Sequence, residues 1–177
     1  MPFLYLYRHA IELDLKPAIR LAARLRRNNG ESEESLLPDA VAERLQKKHG
    51  HRLMALVAEL DGHLTALHLF TLPKDVRRLF TLVHSSDPSG ESFRYGSGLP
   101  NSQDQIDFPA PAAAPKQAYD ISSATSIMLN AYEDDQSVML DEQRASEAEY
   151  AADVYEEQRA VEAEHAADMR AEFEIWQ

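Results

Sequence analysis

The stretch HGHRLMALVAELDGHLTALHLF, residues 49–70, decides the fold class. Leu53, Leu56, Val57, Leu60, Leu64 and Leu67 recur at three- and four-residue steps, the spacing that lines up one apolar face of an α-helix. Gly62 sits inside the segment and weakens it by roughly 1 kcal/mol relative to alanine. The apolar face must therefore carry the helix past that point.

The same periodicity appears on either side. Residues 3–27 place Leu4, Tyr7, Ile11, Ala18, Leu21, Ala22 and Leu25 on one face. Pro17 removes the bond to the Leu13 carbonyl and disfavours helical geometry at Lys16, which predicts a kink or a helix in two pieces. NNGESEES, with its Asn-Gly pair, reads as a polar turn, and LLPDAVAERLQKK as a short helix with Pro38 near its start. LPKDVRRLFTLVH is a further helix striped by Val76, Leu79, Phe80 and Val83. From Ser85 to about Tyr119 the composition turns to Ser, Asp, Gly and Pro, which predicts a long loop with room for a short hairpin around Phe93–Tyr95. Asp120 opens a helical segment that continues, Ala- and Glu-rich, to Gln177.

These segments predict an all-α chain: a helical bundle over residues 1–135, with the long loop at about 85–119, and an acidic helical extension over 136–177. A length of 177 residues suits one core plus an extension. There is no cysteine, which excludes disulfides, thiolate metal sites and a cysteine nucleophile. The start, MPFLYLYRHA, lacks the basic segment and apolar run of a signal peptide, and no stretch approaches the ~20 apolar residues of a membrane span. A soluble cytoplasmic protein is the expectation.

The net charge of −12 is unevenly held. Glu133 to Glu174 contains fifteen acidic residues against three basic ones, leaving fifteen of each sign in residues 1–131. The extension also carries a repeat: EQRASEAEYAAD at 142–153 and EQRAVEAEHAAD at 157–168 agree at ten of twelve positions. Copies fifteen residues apart are rotated by about 60° on a straight helix, so an ordinary seven-residue seam is not expected. Tyr150, Val154, Val161, His165, Phe173 and Trp176 form a loose apolar strip. Three readings of the extension stand open: a solvated single helix, a surface for a protein partner or a second copy, and an acidic shield over a basic groove.

Chemistry-bearing residues concentrate near the start. Arg8, Glu12 and Lys16 are spaced i, i+4, i+8, so a helix sets them in a row, with His9 beside it. The plainest reading is a salt-bridge ladder, each exposed pair worth about 0.3–0.5 kcal/mol. The sharper reading makes His9 a proton-transfer group and Arg8 or Lys16 a phosphate contact. RNA cleavage without a metal needs an acid/base near neutral pH and a cation for the charge developing on phosphorus. His63 and His68 lie five apart, off-face for a shared metal, and His63 is i+4 from Glu59, which suits a surface contact. No phosphate-cradling Gly-rich loop or nucleophile elbow occurs, so neither a metal nor a cofactor is expected.

LYRHAIELDLKPAIRLAARL, KKHGHRLMALVAEL, DPSGESFRYGSG and YDISSATSIMLNAYED, in that order, resemble the successive landmarks of HEPN-like proteins (the higher-eukaryote and prokaryote nucleotide-binding superfamily). The resemblance covers residues 3 to roughly 135. It implies an all-α bundle that engages RNA or nucleotides, with metal-independent endoribonucleases of phage defence and toxin–antitoxin systems among its members. Positions matching the landmarks are Arg8, His9, Glu12, Lys16, His51, Arg94 and Tyr95. The resemblance thus implies His9, Arg8 and Glu12 as catalytic candidates, and Lys16, His51, Arg94 and Tyr95 as RNA or nucleotide contacts. Ribonuclease members carry an arginine, four to six further residues and a histidine, usually with a polar residue after the arginine. Arg44 to His49 and Arg78 to His84 fit that spacing, but leucine follows the arginine in both. Arg78 and His84 are the alternative catalytic pair.

Overall fold

The computed structural model describes residues 2–86 and 109–175, with side chains placed over 5–85 and 113–165. Among the described residues every regular element is helical, so the chain is an all-α bundle with a long C-terminal helix. It divides into two compact units, Met1–Tyr132 and Glu133–Gln177.

The first unit opens with helix α1, Pro2–Asn28. Ile11, Leu15, Ala18, Ile19, Ala22 and Leu25 on this helix are all at most 2% exposed. The helix runs through Pro17 as one element, so of the two expectations there, a kink or a helix in two pieces, the second does not hold. Proline's fixed φ is compatible with a helix, and its main cost is the unmet carbonyl of Leu13. Both Pro17 and Leu13 lie on the exposed side of α1, where water can meet that carbonyl. Asn29 and Gly30 then turn the chain, Gly30 taking a φ of +93° and donating its N–H to the Arg27 carbonyl at 2.9 Å.

A single 3-10 turn, Glu34–Leu36, leads into helix α2, Pro38–Glu43, with its proline in the first helical turn where the absent N–H costs nothing. One π-type turn follows over Arg44–His49. Helix α3 is Leu53–Ala66, and the apolar face read from the sequence is its buried face: Leu53, Leu56, Val57, Leu60 and Leu64 are at most 1% exposed, and Leu67 beyond it 4%. It packs chiefly against α1. Helix α4, Lys74–Ser86, buries Val76, Phe80 and Val83, with Leu79 half-buried beside them. Asp61 closes the α3–α4 connection by accepting from the Leu72 N–H at 2.9 Å and pairing with Arg77 at 2.8 Å.

The last helix, α5, spans Pro109–Ile175. Residues 109–119, expected in the loop, are therefore helical. The run PAPAAAPKQAYD explains this, because Pro109 and Pro111 occupy the first turn and alanine is the best helix former. Residues 87–108, with the expected hairpin at Phe93–Tyr95, lie outside the described residues. Ala118, Ser122, Thr125 and Leu129 form the buried face of the α5 portion in the first unit. Asp14 fixes its register on α1, accepting from Ser122 at 3.2 Å and Ser123 at 2.6 Å, while Tyr119 meets Tyr7 edge to face.

The second unit is the remainder of α5. Its described side chains are almost all exposed, with Tyr150, Tyr155 and Val161 each more than 60% so. The side chains of Phe173 and Trp176 lie outside the described set. No described helix is long and apolar enough to cross a membrane.

Candidate functional site

Gly50 sets the geometry. The π-type turn ends there, with the Gly50 N–H donating to the Leu45 carbonyl at 3.0 Å, a bond to the fifth preceding residue. Gly50 takes φ +54° and ψ −114°, a conformation that a side chain would strain. The reversal sends its two histidine neighbours to different helices. His51 reaches Glu12 on α1, and His49 reaches Glu59 on α3.

At the first of these carboxylates, His51 Nδ1 lies 3.0 Å from both Glu12 oxygens. Lys16 Nζ donates to Glu12 Oε1 at 2.6 Å, so Pro17 leaves Lys16 in the row. Arg8 lies 3.8 Å from Glu12 Oε2 and donates from Nη2 to the His51 backbone carbonyl. The row is not the exposed ladder of the plainest reading. The Arg8 and Glu12 side chains are only 4% and 5% exposed, against 21% for Lys16 and 37% for His51. Burial pushes the Glu12 carboxyl up, but hydrogen bonds from Lys16 and His51 and the charges behind them outweigh it, holding Glu12 below the usual carboxylate range. Arg8 thus braces the turn, Glu12 orients an imidazole, and Lys16 and His51 are the members that meet solvent.

The second carboxylate is the more heavily partnered. Glu59 Oε1 accepts from Arg44 Nε at 2.9 Å and Nη2 at 2.7 Å, and Oε2 is bonded by His49 Nε2. His63 Nε2 stands 3.6 Å from Oε1, and its Nδ1 accepts from Arg26 Nη1 at 3.2 Å. Arg26 in turn clasps Glu31 with both forks of its guanidinium. Burial raises the Glu59 carboxyl, but His63, Arg44 and His49 together pull it to about 2. The His63–Glu59 approach is a buried one, His63 being 4% exposed, rather than the surface contact expected. The group lines an open cleft of about 620 Å³. All three Arg44 nitrogens are engaged, since the remaining Nη1 donates to the Ser35 carbonyl at 3.0 Å. This second cluster locks α1, the π-type turn and α3 together.

The remaining candidates are dispersed. His9 is half-buried and stacks on Tyr5, one turn earlier, with ring centroids 5.8 Å apart. Arg78 is exposed and His84 half-buried on α4. Six residues apart on a regular helix they stand about 9 Å apart along the axis and about 120° around it, so α4 does not bring them together. Arg94 and Tyr95 lie outside the described residues. Among the described residues no group of His, Asp and Glu has the arrangement of a metal site. The role of Glu59 as a hub escaped sequence reading. Its signals were the five-residue Arg44–His49 interval and a glycine set between two histidines.

A scan against protein-family models, a search of curated proteins and a search of solved structures each find no match to this chain.

Proposed function

We propose that this chain engages RNA at the Glu12–His51 pair and cleaves it without a metal, with His51 as the proton carrier. The observation that carries the reading is the meeting of Glu12, Lys16 and His51: two of the stretches that resemble HEPN-like landmarks converge on one partly exposed imidazole. A carboxylate on Nδ1 fixes the ring and leaves Nε2 as the nitrogen not bound to Glu12, the arrangement a general base requires. His51 accepts the proton of a ribose 2′-hydroxyl as the 2′-oxygen bonds to phosphorus. The bond from phosphorus to the 5′-oxygen breaks, and the imidazolium returns the proton to that oxygen. The products are a 2′,3′-cyclic phosphate and a 5′-hydroxyl. Lys16 keeps N–H donors beyond the one given to Glu12 and offers them to the charge on phosphorus. His51 takes the role first given to His9, whose ring is held against Tyr5. In this reading the chain belongs with the defence and toxin–antitoxin members of the group it resembles.

Incubation of purified protein with transfer RNA and mixed RNA in the presence of a chelator tests the proposal. Cyclic-phosphate fragments with wild type and none with His51→Ala support it. Tight RNA or nucleotide binding with no cleavage by either protein reduces the site to recognition alone.

A second reading rests on the extension. Tyr150 (72% exposed), Tyr155 and Val161 (61% each) stand out from an acidic helix, which favours a protein-binding role for that unit. Deleting residues 141–177 abolishes partner capture under this reading and raises RNA affinity if the extension shields the site.

A further inference from the structure

The second unit carries large apolar side chains in a line. Met139, Tyr150 and Val161 lie eleven residues apart and are 69%, 72% and 61% exposed. Eleven residues make three turns of an α-helix with a remainder of about 20°, so the three side chains share one face over about 33 Å. Val154, half-buried, stands on the same face between Tyr150 and Val161, and Gln143 and Ser146 fill the interval before Tyr150 without adding charge. An eleven-residue interval keeps such a seam on one face with only a slight right-handed supercoil.

Charge beside this stripe is uneven between Met139 and Val161. Glu142, Glu149, Asp153 and Glu156 stand about 60–120° around from Tyr150 on one side. On the other side, at about 80–100°, stand Leu140, Ala151 and Gln158. Glu147, also on that side, accepts from Gln143 at 2.7 Å, and Arg144 turns to Asp141 at 3.1 Å. An exposed apolar stripe thus runs beside an acidic rail.

Apolar anchors repeated along a straight helix suit a second helix laid beside it. Charge selects which helix. Glu133 to Glu174 holds fifteen acidic residues against three basic ones, so a second copy of the extension brings like charge to like. Nucleic acid and anionic lipid are disfavoured on the same ground. A helix with lysine or arginine beside its own apolar stripe neutralises the rail and covers Met139, Tyr150 and Val161 in one arrangement. We infer that this stripe binds a basic amphipathic helix of another protein, about six turns long, which deepens the protein-binding reading of the extension and rests on it. Tyr150 and Val161 are its apolar anchors, and Glu142, Glu149 and Glu156 set its charge preference.

The test uses the full chain as wild type, Y150Q/V161Q and E142Q/E149Q/E156Q, exchanges that keep good helix formers on an exposed helix. The probe is a labelled synthetic peptide of about 24 residues, long enough for the stripe, with leucine at eleven-residue steps and lysine beside it. A scrambled peptide of the same composition and a peptide with glutamate in place of lysine are the controls. Fluorescence anisotropy should show wild type binding the basic peptide, more weakly as salt rises, and at least tenfold more tightly than either control. Y150Q/V161Q should lose at least tenfold in affinity, and E142Q/E149Q/E156Q should bind more weakly with less dependence on salt. Circular dichroism should show both variants as helical as wild type. Equal binding of the scrambled peptide, or unchanged affinity in Y150Q/V161Q, overturns the inference. Equal binding of the glutamate peptide overturns the basic partner and leaves the protein-binding reading standing. So does sedimentation that shows wild type self-associating through Tyr150 and Val161. A monomeric wild type that binds none of the peptides overturns both.

Discussion

His51 Nδ1 lies 3.0 Å from both oxygens of Glu12, across thirty-nine positions of sequence. This contact joins the first helix to the Gly50 turn, and the buried Arg8 braces it from below through the His51 carbonyl. Glu12 is therefore a positioning residue in the proposed chemistry. Glu12→Gln keeps the size of the side chain but removes the charge that holds the imidazolium. Cleavage by this variant should fall by roughly 10²-fold, the lower end of what acid–base catalysis contributes, with a shifted pH profile and little change in RNA affinity. A parallel loss of affinity, with no change in the profile, would assign Glu12 a purely structural role.

Glu59 governs acid stability. Its carboxyl titrates near 4.5 when unfolded and at about 2 in the folded chain, so the folded state favours the charged form. That contribution is fully present above about 4.5 and is lost as pH falls toward about 2, amounting to at most about 3 kcal/mol for the whole shift. Denaturant titrations across that interval should show wild type losing stability steadily, and Glu59→Gln should flatten the slope. At neutral pH the same substitution leaves Arg44 and His49 without their anion and should cost about 3 kcal/mol.

Gly50 is held where L-residues are strained, and an added Cβ would meet only the Gln46 carbonyl at 3.7 Å, an ordinary contact. The penalty of Gly50→Ala is thus conformational, about 1–3 kcal/mol, and should appear in thermal melts. Because both neighbouring histidines depend on this turn, imidazole resonances of His49 and His51 should shift together in the NMR spectrum of the variant.

Gly62 gives the opposite expectation. It sits exposed inside α3, and a Cβ there would meet nothing within 4 Å. Gly62→Ala should raise stability by roughly 0.5–1 kcal/mol, read as a higher urea midpoint at unchanged slope.

The helices were legible because each carries its burial pattern locally. The six apolar positions read in residues 49–70 are the buried ones, and Val76, Phe80 and Val83 follow suit on α4. The two-piece alternative at Pro17 failed because a proline breaks a helix only where its lost bond cannot be replaced, and exposure of that side is a tertiary property. The start of α5 was misread because proline in a first turn and proline in a loop look alike in composition. The row of Arg8, Glu12 and Lys16 was visible from spacing, but its burial was not, since that depends on His51 arriving from another element. The Glu59 hub needed still more: a π-type turn, a left-handed glycine and two helices, α1 and α3, brought together.

Cleavage of single-stranded RNA by wild type and by His51→Ala, in chelator and with product ends identified, tests the central claim most directly. The account predicts fragments ending in 2′,3′-cyclic phosphate from wild type and a loss of roughly 10²-fold or more in the variant, which should remain folded. Identical fragment patterns from the two proteins, or intact RNA with both, would contradict it.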